Sequence, residues 1–267
     1  MELISIKNLK FSYGNHSGNG AFSLNIDSWQ LSKGSFTSII GPNGCGKSTF
    51  LKILARLITP HGGEIRYENT EQNHIELKNY AKKVAYVPQQ IHSIFRYSVY
   101  EVVMMGRTPY LGLMGFEKKE DSAIVKDALE QMEIWHLRSK GLNEISGGEA
   151  QRVVIARALA QKAELILLDE PNSHLDIEHQ LKIFNLLHQL NKDEGLTIIA
   201  VSHDLNLVGI YSEEIALMQN GAIALNGKKE DVLNEINIKN VFNINSIVKY
   251  SKDKTKANIL INPIDIN

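Results

Sequence analysis

Three short runs open the chain: Leu3-Ile4-Ser5-Ile6, Phe22-Ser23-Leu24-Asn25-Ile26 and Phe36-Thr37-Ser38-Ile39-Ile40. Turn-forming stretches at Gly14–Gly20 and Ser32-Lys33-Gly34 separate them, which predicts three strands. Leu51, Leu54 and Ile58 then recur at helical spacing, so a helix follows the third strand. From about residue 91 to 160 the pattern is helical. Val125, Leu129 and Met132 form one stripe there, and Arg152–Ala160 reads as a second helix. The runs Leu165–Leu168 and Thr197–Val201 are apolar throughout and flank an amphipathic helix carrying Ile177, Leu181, Phe184 and Leu187. Apolar runs alternating with helices predict buried parallel strands. Asn220-Gly221 between Ile215–Met218 and Ala222–Leu225 predicts a two-residue hairpin. The last stretch, rich in Asn, Ile and Lys, reads as a helix and two weak strands, Ile247–Tyr250 and Asn258–Ile261.

Composition narrows the class. The chain has 267 residues, 43% hydrophobic and 22% charged, with a net charge of −1. That fits a soluble globular protein of one large domain or one domain with a subdomain. A charge this close to zero gives no field for holding nucleic acid, so no nucleic-acid partner is expected. A single cysteine and no secretory leader point to a reducing, cytoplasmic setting. No apolar run approaches the roughly 20 residues needed to span a bilayer, so any membrane role must come through a partner.

The stretch Gly41-Pro42-Asn43-Gly44-Cys45-Gly46-Lys47-Ser48-Thr49 matches G-x-x-x-x-G-K-[ST], and it lies directly after a predicted strand and opens a predicted helix. Glycines let successive backbone N–H groups turn toward the phosphates. The helix N-terminus adds partial positive charge, Lys47 a full one, and the Ser48 hydroxyl can ligate Mg²⁺. Cys45 is a small filler within the loop, and its position beneath a helix N-terminus beside Lys47 favours the thiolate. Asp169 and Glu170 follow the run Leu165–Leu168, at the strand end where open α/β sheets bind ligands. Asp169 can hold Mg²⁺ through water, and Glu170 can polarise a water attacking the γ-phosphate.

Together with Ile145-Ser146-Gly147-Gly148-Glu149, which looks like the LSGGQ signature, these motifs resemble the ATP-binding subunits of ABC transporters. Tyr13 resembles that family's adenine-stacking aromatic, Gln89 in Tyr-Val-Pro-Gln its Q-loop glutamine, Ser173-His174-Leu175-Asp176 its D-loop, and His203 its switch histidine. The resemblance implies an α/β P-loop NTPase of ABC-ATPase fold, with a RecA-like core, an antiparallel β-subdomain and an inserted α-helical subdomain. The ATP-binding domain would span 1–230, its helical part about 91–160, with a C-terminal extension over 231–267.

It further implies ATP and Mg²⁺ as ligands, with Ser48, Gln89 and Asp169 at the metal and Glu170, His203 and Gln89 in catalysis. A second subunit, expected to be another copy, would close head to tail, so that Ser146, Gly147, Gly148, Glu149 and Asp176 contact its nucleotide. Signature position five is Glu149 where the family has Gln, which brings a negative charge near the partner's phosphates. Gly106-Arg107 with Pro109, in the stretch where the family seats its permease, is similar to the Gly-Arg-x-Pro of importers for iron-siderophore, haem and cobalamin. The expected assembly is therefore a peripheral ATPase on the cytoplasmic face of the membrane, bound to permease subunits and served indirectly by a solute-binding protein. The alternative is a non-transport ABC ATPase of DNA repair or iron-sulfur assembly. Repair members carry a long coiled coil between phosphate loop and signature, and no heptad run is present here.

Overall fold

The computed structural model describes residues 1–14, 22–89, 96–112, 116–172 and 175–262. In chain order its elements begin with β1 (Glu2–Ser12), β2 (Ser23–Ser32), β3 (Phe36–Ile40), α1 (Lys47–Leu54), β4 (Gly62–Tyr67), β5 (Thr70–Glu71), α2 (Leu77–Tyr80) and β6 (Val84–Val87). Next come α3 (Val99–Met104), α4 (Lys119–Gln131), α5 (Gly147–Ala160), β7 (Leu165–Asp169), α6 (Ile177–Glu194) and β8 (Thr197–Val201). The chain then forms α7 (Leu205–Tyr211), β9 (Glu214–Gln219), β10 (Ala222–Lys228), α8 (Lys229–Val232), α9 (Glu235–Phe242), β11 (Ser246–Tyr250) and β12 (Ala257–Ile261).

Contacts divide the chain into two compact units, one of Met1–His74 with Leu187–Asn267 and one of Ile75–Leu186. The first contains an antiparallel sheet ordered β2-β1-β4-β5. It also contains β3, which pairs in parallel with both β8 and β9. All five residues of β3 and of β8 are buried, as the unbroken apolar runs predict for parallel strands covered on both faces. The β9–β10 hairpin turns on Asn220 and Gly221, with φ of 49° and 77°. Those are the left-handed angles of a type I′ turn, which is why Asn-Gly occupies it. The C-terminal segment is packed onto this unit: Val232, Leu233, Ile238, Ala257 and Ile259 are buried with Ile40, Val208 and Leu217 in one apolar cluster.

In the second unit β6 and β7 pair in parallel, and α5 packs against α3 and α4. Val99, Val103, Val125, Leu129, Val153 and Val154 are fully buried there.

Two helix expectations change. The helix after β3 ends at Leu54, because Arg56 takes a φ of 58° and a left-handed residue closes a helix; Ile58 lies beyond it. On α6, Phe184 and Leu187 are buried, but Ile177 is 75% exposed and Leu181 37%, so its first turns do not join the core.

Gly106 and Arg107 are interior residues. A Cβ on Gly106 would stand 2.3 Å from the Arg157 carbonyl oxygen of α5. Arg107 donates to Asp121 at 2.8 Å and to the Ala160 carbonyl at 2.8 Å, and its guanidinium lies 3.9 Å from the centre of the Tyr110 ring. Both residues are accounted for by close packing on α5.

Candidate nucleotide site

The loop between β3 and α1 is shaped by what its glycines must avoid. A Cβ on Gly41 would lie 2.1 Å from the Met218 carbonyl oxygen, and Gly46, at φ 107°, would bring one 2.6 Å from the Phe22 ring. No side chain caps α1, so its first N–H groups face the loop with the partial charge that attracts anions. Lys47 is 6% exposed, and its ammonium donates to the Gly41 and Pro42 carbonyls at 2.8 and 2.9 Å. The loop thus holds its own cation in place. Pro42 and Ser48 are half-buried, Asn43 and Gly44 exposed, and Thr49 buried.

Tyr13 is 48% exposed, stands edge-on to Phe11 at 4.8 Å and shares a hydrogen bond with the Thr49 hydroxyl at 3.3 Å. A half-exposed aromatic is thereby fixed beside the first turn of α1. His203, also exposed, stands between β8 and α7. Its neighbour Asp204 caps α7, accepting from the N–H groups of Asn206 and Leu207 at 2.8 and 3.1 Å. Burial of Cys45 agrees with the small-filler reading and not with the thiolate one. Cys45 is 5% exposed, and burial pushes its thiol above the usual range although Lys47 pulls it down.

In the second unit the parallel pairing of Val87 with Leu168 carries Gln89, Asp169 and Glu170 to the same end of β6 and β7. The Gln89 amide donates to the Glu170 carboxylate at 2.6 Å, and the Tyr86 hydroxyl to Asp169 at 3.1 Å. Asp169 is 2% exposed. Glu170 adopts φ 51°, a left-handed conformation that costs a non-glycine residue about 1 kcal/mol or more and concentrates at functional sites. Tyr86, which orients Asp169, carries no motif of its own in the sequence. Parallel pairing of a four-residue strand is the only signal that finds it.

The signature lies at the start of α5 in the same unit. Ser146 caps α5, accepting from the Glu149 N–H at 3.2 Å, while the Glu149 carboxylate accepts from the Ser146 N–H at 2.7 Å and its hydroxyl at 2.8 Å. Glu149 is therefore turned onto its own serine. These hydrogen bonds, the backbone one first, hold its carboxyl below the usual range. Ser146, Gly147, Gly148 and Glu149 line a cleft of about 410 Å³ together with Arg152, Leu175, Asp176 and His179. Asp176 accepts from the His179 N–H at 2.8 Å and ring Nδ1 at 2.7 Å. Signature and D-loop thus share one cleft; Ser173 and His174 lie outside the described residues.

Comparison with known proteins agrees with this geometry. The family model described as ABC transporter matches residues 24–173. The iron(3+)-hydroxamate import ATP-binding protein FhuC of Bacillus subtilis is 39% identical over 84% of this chain and 82% of its own. The B. subtilis siderophore transport system ATP-binding protein YusV is 37% identical over 92% and 87%. Among solved structures, the ATP-binding cassette MJ0796 in a dimeric post-hydrolysis state with ADP and phosphate matches with a TM-score of 0.76 and 31% identity, over 85% of this chain and 98% of that one. An inward-facing transporter described as metal-chelate type matches with a TM-score of 0.82 and 28% identity over 100% and 99%. With its phosphate loop, strand-end carboxylates and capped signature helix, the chain belongs to the ABC transporter family, as one of its ATP-binding, ATP-hydrolysing subunits.

Proposed function

We propose that this ATPase energises an importer of iron-siderophore or similar metal chelates from the cytoplasmic face of the membrane, paired with a second ATP-binding subunit and seated on permease subunits that a solute-binding protein supplies. The observation that carries the reading is the coexistence, on one chain, of a caged phosphate-binding lysine, a hydrogen-bonded Gln89–Glu170 pair and an intact signature cleft. The relatives named for hydroxamate and siderophore import support the cargo class. No helix among the described residues is long and apolar enough to cross a membrane, and in this reading the permease subunits form the transport path.

In this reading Tyr13 stacks on adenine, while Gly41, Pro42, Asn43, Gly44, Cys45 and Gly46 wrap the phosphates with backbone N–H groups. Lys47 exchanges the Gly41 and Pro42 carbonyls for phosphate oxygens, and Thr49 steadies Tyr13. Magnesium, when bound with ATP, neutralises charge on the β- and γ-phosphates. Ser48, Asp169 and Gln89 suit it because Mg²⁺ takes few protein oxygens and keeps phosphate and water ligands. Glu170 orients the attacking water and receives its proton, and His203 holds the γ-phosphate. Ser146, Gly147, Gly148, Glu149 and Asp176 complete the site of the second subunit, related head to tail. Differential affinity of ATP for the closed pair drives the cycle.

Purification of the tagged chain from its native membrane in mild detergent tests the assembly. A many-helix permease in the eluate, with transport of a radio-iron siderophore lost on deletion of the chain and restored by its return, is the expected result. Recovery with ribosomes or DNA and no permease overturns it.

A further inference from the structure

A second cleft, of about 530 Å³, lies wholly within the first unit and away from the phosphate loop. Its walls come from four separate segments: α6, the stretch from the end of α7 into β9, the stretch from the end of β10 into α8, and the turn between β11 and β12. Those segments bring five lysines to it, Lys192, Lys228, Lys229, Lys254 and Lys256, against three glutamates, Glu213, Glu214 and Glu230. Only one of the five is ion-paired among the described residues, Lys192 with Glu213. Lys229 is 4% exposed, and its ammonium is held by the Gly209 and Thr255 carbonyls. Burying an ammonium is costly, and burial lowers its pKa although Glu230, Glu213 and Asp253 partly oppose the shift.

Nor do the carboxylates cancel this charge. Glu213 is committed to Lys192, which leaves Glu214 and Glu230 against the other four lysines; burial and Glu213 push the Glu214 pKa above the usual carboxylate range. His188 lines the cleft with its Nδ1 buried and without a hydrogen-bond partner. Burial first, then Lys192, Lys229 and Lys256, hold the ring below its usual pKa against the opposing pull of Glu213. Ile210 and Tyr211 provide apolar surface on one side. A concave, partly apolar site with one sign of charge in excess concentrates counter-ions, and its size lies within the range of small-molecule sites.

We propose that this cleft is a binding site for a small organic polyanion carrying carboxylate or phosphate groups, held by Lys228, Lys254 and Lys256 beside the His188 ring on the wall. The site is independent of the nucleotide assignment, since it shares no residue with it.

Citrate and pyrophosphate are the two probes, each titrated calorimetrically into the wild-type chain and into Lys47→Ala, which removes the phosphate loop's cation. The His188 ring resonances are followed in parallel. The expected result is saturable binding of one anion per chain in Lys47→Ala, with wild type taking further pyrophosphate at its phosphate loop; the binding shifts His188 and, in the Lys47→Ala background, weakens about tenfold or more with K228Q/K254Q/K256Q, as loss of charge-assisted contacts requires. Citrate alone assigns carboxylates, pyrophosphate alone assigns phosphates, and either supports the site. Absence of saturable binding for both anions at millimolar concentration overturns it. So does binding that is unchanged in the triple variant, or lost in Lys47→Ala, or without effect on His188. The substituted lysines are exposed side chains, and an unchanged melting temperature establishes that the variant is folded.

Discussion

The Glu149 carboxylate accepts hydrogen bonds from both the backbone N–H and the hydroxyl of Ser146, at 2.7 and 2.8 Å. The serine that opens the signature helix is therefore positioned by the residue that departs from the family's consensus. Glu149→Ala removes half of a reciprocal cap and is expected to cost about 1 kcal/mol, read as a lowered urea midpoint. Because folding lowers the Glu149 pKa, its stabilisation is complete above the ordinary value of 4.5 and fades as pH falls through the lower folded-state value. Glu149→Gln should flatten that part of the acid titration of stability, and an unchanged profile would remove the carboxylate from the cap.

Glu170→Gln should still bind ATP, hydrolyse it at least about tens of times more slowly, and accumulate as an ATP-bound dimer in light scattering. Wild-type phosphate release from this variant would dismiss Glu170 as the group acting on water. The left-handed φ of 51° adds a second test. Glu170→Gly should be as inactive as Glu170→Gln yet melt higher, since glycine adopts that angle without strain.

Arg107 and Asp121 form an ion pair in which the side chains are only 6% and 3% exposed. Asp121→Ala leaves a buried guanidinium unpaired and should destabilise the chain by about 3–5 kcal/mol. Arg107→Lys should not restore stability, because an ammonium can neither stack on Tyr110 nor reach Asp121 and the Ala160 carbonyl as a planar fork does. Equilibrium unfolding in urea measures both.

Cys45 should react with maleimide at neutral pH at least about tenfold more slowly than a free thiol, because burial both shields it and raises its pKa. The rate should climb with pH and on unfolding. Fast labelling of the native chain at pH 7 would contradict the buried thiol.

What was legible in the sequence was local. The phosphate loop, the carboxylates after an apolar run and the Asn220-Gly221 hairpin each depend on residues adjacent in the chain. What escaped depends on remote partners. Strand β6, four residues without alternation, is revealed only by its pairing with β7, whereas in β4 the alternation Glu64-Ile65-Arg66-Tyr67 was present but follows two glycines that read as a turn. Arg107 looked like part of a surface motif because nothing nearby announces Asp121 or the Ala160 carbonyl as its partners. Ile177 and Leu181 sit at core spacing, but periodicity does not say where the covering surface stops.

The phosphate loop is encoded early, yet the strands and hairpin that border β3 and the loop arrive late. Strand β3, which launches it, is bordered by β8 and β9, and the Gly221 N–H bonds the Cys45 carbonyl while the Gly221 carbonyl receives the Asn25 N–H. A ribosome that has synthesised the loop but not yet released the hairpin holds a chain with no neighbour on either side of β3. The nucleotide pocket is thus among the last features to form during synthesis, and ATP cannot act as a folding ligand for a nascent or prematurely terminated chain.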